Sequence, residues 1–132
     1  MDAICLLVAG VVRATVPTTE LTLVWEHSVE KTRWQERYRV VGGRLKLTEA
    51  RVQGFGAGME PPAGAVLEKG AWRWTPELEP LPELRLTFSE YAPDYRLCWS
   101  RRCKKLASLI RQRLTDGDVV AVRACAVDAR RQ

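Results

Sequence analysis

The sequence predicts an all-β domain, mainly an antiparallel sandwich or a partly open barrel, with one short helix near its C-terminal end. Three observations carry that prediction. Apolar residues recur at every second position in short runs, Gly and Pro pairs punctuate the runs, and a single segment has helical period. The 132 residues, 46% apolar and 28% charged, suit one globular domain over 1–132. Such a chain can bury a core, yet it is too short for a multidomain enzyme or a polytopic membrane protein. No repeat, low-complexity stretch or linker interrupts it.

The elements follow in order. Residues 4–16 are apolar and β-branched and stop at Pro17, so the chain begins with a buried strand. Its start lacks a basic leader, carries Asp2 and meets Arg13 too soon to span a bilayer, which takes about 20 apolar residues. The default expectation is therefore a cytoplasmic protein that does not cross the membrane, with the periplasm as the alternative. Residues 21–29 place Leu23, Trp25 and His27 on one face. Residues 33–41 alternate, with Trp34, Glu36, Tyr38 and Val40 opposite Gln35, Arg37 and Arg39. Gly42-Gly43 accepts the positive φ of a primed hairpin turn, and 44–49 returns with Leu45 and Leu47 facing in.

A glycine- and proline-rich stretch, Gly54-Phe55-Gly56-Ala57-Gly58-Met59-Glu60-Pro61-Pro62, breaks the pattern. Short strands follow at 71–74, 83–88, 95–99 and 118–125. Cys103, Leu106, Ala107, Ile110 and Leu114 form one apolar stripe at helical spacing. The stripe predicts a helix over 103–113, N-capped by Ser100 and ended by Asp116-Gly117. Its apolar side should cover the core while Lys104, Lys105, Arg111 and Arg113 face solvent.

Charge is uneven. Residues 1–95 carry 11 Lys and Arg against 13 Asp and Glu, whereas 96–132 carry 10 against 3. The basic 101–113 segment makes an anion or nucleic-acid binder one function class. However, most aromatics lie elsewhere in sequence, which separates stacking groups from cations, and no nucleic acid is expected as a partner. Cys5, Cys98, Cys103 and Cys125 pair by position as Cys98 with Cys103 and Cys5 with Cys125. In an oxidising compartment these are candidate disulfides, and in cytoplasm they are thiols. A zinc site needs a second close ligand pair, which Cys98-x4-Cys103 does not supply. No metal or other cofactor is expected.

The residues with chemistry cluster in two segments. His27, Ser28, Glu30 and Lys31 end the second strand run, with Trp34 and Glu36 just beyond. Adjacent strand residues point to opposite faces, so Ser28 and His27 cannot act as nucleophile and base; no Gly-x-Ser-x-Gly elbow exists either. A carboxylate between Trp34 and Tyr38 must find a partner, and His27, Lys31 or an arginine is the expected one. Gly56 and Gly58, with Met59, allow close backbone approach to a ligand, but they match neither a dinucleotide fingerprint nor a P-loop. An enzyme using His27, Glu30 and Glu36 as acid–base groups is a second class, and the absence of a catalytic set leans against it.

Trp25-x-His27-Ser28-Val29-Glu30-Lys31-Thr32-x-Trp34-x-Glu36-x-Tyr38, Gly56-Ala57-Gly58-Met59-Glu60-Pro61-Pro62 and Tyr91-x3-Tyr95-Arg96-Leu97-Cys98 resemble the bacterial and archaeal family called domain of unknown function 1850. The resemblance runs over roughly residues 5–125. It implies a small protein without an assigned activity or catalytic residues, whose gene often lies beside those of tripartite solute:sodium symport systems with an extracytoplasmic receptor. The first function class is accordingly a non-enzymatic accessory or ligand-binding module, with a transporter receptor or permease as its partner and a small molecule as its ligand.

Overall fold

The structure is a computed structural model, and it describes residues 1–27, 32–53 and 61–127. Eleven strands are seen among these residues. They are β1 (Asp2–Val8), β2 (Val11–Val16), β3 (Glu20–His27), β4 (Thr32–Val41), β5 (Arg44–Gln53), β6 (Val66–Glu68), β7 (Ala71–Trp74), β8 (Leu84–Thr87), β9 (Arg96–Trp99), β10 (Arg102–Lys105) and β11 (Val119–Ala126). One helical turn, α1 (Leu106–Leu109), stands between β10 and β11. The strands form two sheets ordered β2-β1-β11-β8 and β10-β9-β3-β4-β5-β7-β6, every pairing antiparallel. The sheets do not close on one another, so the architecture is the sandwich of the two predicted alternatives.

Alternation explains the packing. Ile4, Leu6 and Val8 of β1 and Val120 and Val122 of β11 face Leu21, Leu23, Tyr38, Leu45, Leu47 and Leu97 of the larger sheet, and all are buried. Each such aliphatic side chain stabilises by about 1.5–3 kcal/mol relative to exposure. Gly42 and Gly43 take φ of 58° and 76°, the primed turn that the β4–β5 hairpin requires.

Two expectations are corrected. The apolar run 4–16 is not one strand: Ala9 and Gly10, at φ 50° and 79°, turn it into the β1–β2 hairpin. The predicted helix over 103–113 shrinks to the single turn of α1. Residues 102–105 instead pair with β9, and Ser100 is no N-cap but part of the β9–β10 turn, with Ser100 and Arg101 at φ 49° and 64°. Three of the stripe's five residues still pack, because Leu106, Ile110 and Leu114 remain buried; Cys103, now on an edge strand, and Ala107, exposed on α1, leave it. Lys104, Lys105, Arg111 and Arg113 are exposed as expected.

The cysteines pair as position suggested. Cys98 and Cys103 stand opposite one another across β9 and β10, with Cα atoms 4.0 Å apart, and Cys5 and Cys125 bridge β1 and β11 at 5.9 Å. Both pairs are bonded, and the second ties the chain's first strand to its last. No helix among the described residues is long and apolar enough to cross a membrane.

Candidate functional site

One end of the larger sheet gathers tryptophans from β3, β4 and β7. Register sets them in rows. Trp25 of β3 faces Trp34 of β4, Trp34 faces Val52 of β5, Val52 faces Trp72 of β7 and Trp72 faces Leu67 of β6. The adjoining row runs Leu97, Leu23, Glu36, Ala50 and Trp74. Both rows lie on the sheet face that turns toward the core. Trp25, Trp34 and Trp74 are only partly buried, whereas Leu23, Ala50 and Val52 are buried. The aromatic end is thus a margin of the core, reachable from solvent.

Ring geometry ties the cluster together. Trp25 and Trp34 stack with centroids 5.4 Å apart and planes 6° from parallel, and Trp74 meets Trp34 edge-on at 6.2 Å. Such contacts add about 0.5–1.5 kcal/mol beyond the area they bury. The Trp34 indole N–H donates to Thr32 Oγ1 at 3.3 Å, and Thr32 is fully buried at the start of β4.

Glu36 is the polar centre. Its Oε1 accepts from Trp25 Nε1 at 2.8 Å and its Oε2 from the Tyr38 hydroxyl at 3.1 Å. Burial is the main reason that the Tyr38 phenol is raised far above its usual value, and the charge and hydrogen bond of Glu36 push it further the same way. Tyr38 is therefore a fixed donor rather than a proton shuttle. Of the partners expected for Glu36, the His27 side chain and Lys31 lie outside the described residues, and the donors that the described residues supply are these two neutral ones. None of the ion pairs among the described residues includes Glu36. Neutral partners reach it because Tyr38 lies two residues on along the same face, and Trp25 lies diagonally across β3.

Of the predicted site residues, Trp34 and Glu36 meet here. His27 ends β3, its backbone paired with Thr32. Ser28, Glu30, Lys31, Gly56, Gly58 and Met59 lie outside the described residues. The strand ends that flank them are neighbours: Thr32-Arg33 opens β4 beside Gln53, the last residue of β5. Trp25, Trp74 and Tyr38 join the site too, and none of them was among the predicted site residues. Their signal was present in the period-two alternation, but register was needed to bring them to Glu36. Among the described residues no group of three or more His, Cys, Asp or Glu could hold a metal ion.

Residues 21–106 match the family described as a domain of unknown function, DUF1850. The chain belongs to the DUF1850 family. The DUF1850 span is shorter than the 5–125 that the motifs suggested, and its limits coincide with structure. It opens at the second residue of β3, closes just after β10, and so holds nearly the whole larger sheet with the tryptophan rows and Glu36. The strands β1, β2 and β11 of the smaller sheet lie outside the DUF1850 match. No curated protein and no solved structure matches the chain.

Proposed function

We propose that this DUF1850 protein is a non-enzymatic binding module, an accessory to a tripartite solute uptake system, with its ligand seat at the tryptophan rows. The observation that carries the reading is the Glu36 carboxylate, held by Trp25 and Tyr38 beside partly exposed aromatic rings. A seat of this kind suits a group with an apolar face and a hydrogen-bond-donating or cationic edge. The rings take the face, by stacking or cation–π attraction worth about 0.5–2 kcal/mol, and Glu36 takes the edge through its remaining lone pairs. Both Glu36 oxygens already accept hydrogen bonds, which suits orientation of a ligand better than proton transfer. The transporter link rests on the gene neighbourhoods that the family resemblance implies.

The test is calorimetry of the purified chain with the extracytoplasmic receptor of a tripartite uptake system, with and without its solute. Binding that falls at least about tenfold in Trp34→Ala and Glu36→Gln supports the reading, a factor equal to about 1.4 kcal/mol. Absence of binding to receptor and solute alike, or binding indifferent to both substitutions, contradicts it.

A further inference from the structure

The opposite face of the larger sheet tells a second story. Register aligns Lys105, Arg96, Val24, Gln35, Arg51 and Arg73 in one row across six strands. The row spans roughly 24 Å at about 4.8 Å per strand. Along β4, Arg33, Arg37 and Arg39 share this outward face and are exposed, over roughly 20 Å. Cations from five strands therefore cover a broad patch, although the chain before residue 96 is slightly acidic overall. The linear charge tally hid this, because period-two arginines on separate strands gather only when the sheet forms.

Part of the patch is neutralised internally. Glu49 lies within salt-bridge distance of Arg37, Arg51 and Arg73, and Glu68 pairs with Arg73. Arg33, Arg39, Arg96 and Lys105 take part in none of the salt bridges among the described residues, although Glu26 and Glu20 stand opposite Arg33 and Arg39 in register. Three of these cations, Arg33, Arg96 and Lys105, line a depression of about 320 Å³ over Val24. Of the two carboxylates in its lining, Glu26 and Asp94, the latter is tied by Oδ2 to the Ala107 N–H at 2.8 Å.

We infer that this outer face docks the protein flat on an anionic phospholipid bilayer through headgroup phosphates. One feature favours a bilayer over a nucleic acid. The cations spread in two dimensions over a sheet instead of tracking one groove, and Trp25 is the one ring in the lining of the depression. Each basic side chain near an anionic surface adds attraction that fades within a Debye length. Docked this way, the sheet would turn its tryptophan rows away from the lipid.

The experiment is co-sedimentation of the full chain with vesicles of phosphatidylcholine containing about one-third phosphatidylglycerol, and with phosphatidylcholine alone. Two triple variants remove equal charge: Arg33→Gln, Arg39→Gln, Arg96→Gln from the sheet face, and Lys104→Gln, Arg111→Gln, Arg113→Gln from elsewhere. The expected result is binding to the anionic vesicles only, weakened by salt. It should fall at least about tenfold in the sheet-face triple and under about threefold in the other. The single variants Arg33→Gln and Arg96→Gln, each with an unchanged thermal midpoint, should each lose about two- to fivefold, which covers the case of a misfolded triple. Equal loss from both triples, equal binding to neutral vesicles, or no binding at low salt overturns the proposal. So does tighter binding to DNA that persists at about 0.15 M salt, which would assign the face to nucleic acid.

Discussion

Trp25 and Glu36 lie on neighbouring strands one diagonal step apart, and the indole N–H donates to the carboxylate at 2.8 Å. This bond places a carboxylate at the margin of the core, and Tyr38 closes it from the other side at 3.1 Å. Its two donors among the described residues, an indole N–H and a raised phenol, keep their protons near neutral pH.

Removing the carboxylate orphans both donors. Glu36→Ala should cost about 1–3 kcal/mol, and Glu36→Gln, which keeps one acceptor, should cost less. Urea denaturation at constant m-value measures both. Equal stability of Glu36→Ala and the parent would show that Trp25 and Tyr38 do not depend on it.

Tyr38 gives a pH signature. Its phenol is raised in the folded protein, first by burial and then by Glu36, while in the unfolded chain it ionises near its usual value of about 10. Below that value both states hold the proton and the group adds no pH dependence. Above it the unfolded state releases the proton first, so stability falls as pH rises. Tyr95 is also raised, mainly by burial, and adds to the slope. Tyr38→Phe should flatten the alkaline loss of thermal midpoint, and a slope identical to the parent's would contradict the shift.

The two cysteine pairs should differ in weight. Cys5 and Cys125 are 120 residues apart in sequence and Cys98 and Cys103 only 5. In the chain-entropy picture the first bridge contributes roughly 5 kcal/mol and the second roughly 2. Denaturation of Cys5→Ala, Cys125→Ala and of Cys98→Ala, Cys103→Ala under non-reducing conditions should give that order. The reverse order would mean that loop length does not govern the effect here.

The residue turn of α1 tests the corrected helix. Leu106 is fully buried and its N–H donates to the Tyr95 carbonyl at 2.9 Å, so Leu106→Ala should cost about 2–5 kcal/mol. Ala107 is exposed in a four-residue helix. Ala107→Gly should therefore cost well under the ~1 kcal/mol typical of a long helix interior. A full helical penalty at Ala107 would restore the longer helix.

Much of this was legible in the residues. Period-two runs identified β3, β4 and β5, the Gly42-Gly43 pair located their hairpin, and cysteine spacing gave both pairings. Trp25 and Trp34 were expected from adjacent strands. What escaped detection depended on residues that carry no turn signal. Ala9, Ser100 and Arg101 adopt positive φ without being glycine, and the β9–β10 hairpin that Ser100 and Arg101 permit took 102–105 out of the helical stripe. The donors to Glu36 and the arginine face needed strand register, which no single segment encodes.

The central claim is that Trp25, Trp34, Trp74 and Glu36 form one binding seat. The most direct measurement is the set of indole N–H signals of the five tryptophans in nitrogen-15-labelled protein, followed as the uptake-system receptor and its solute are added. The Trp25, Trp34 and Trp74 signals should move together while Trp99, at the far side of β9, stays in place, and Glu36→Gln should abolish the movement. Binding that leaves those three signals unmoved, or no movement with receptor and solute present, would contradict it.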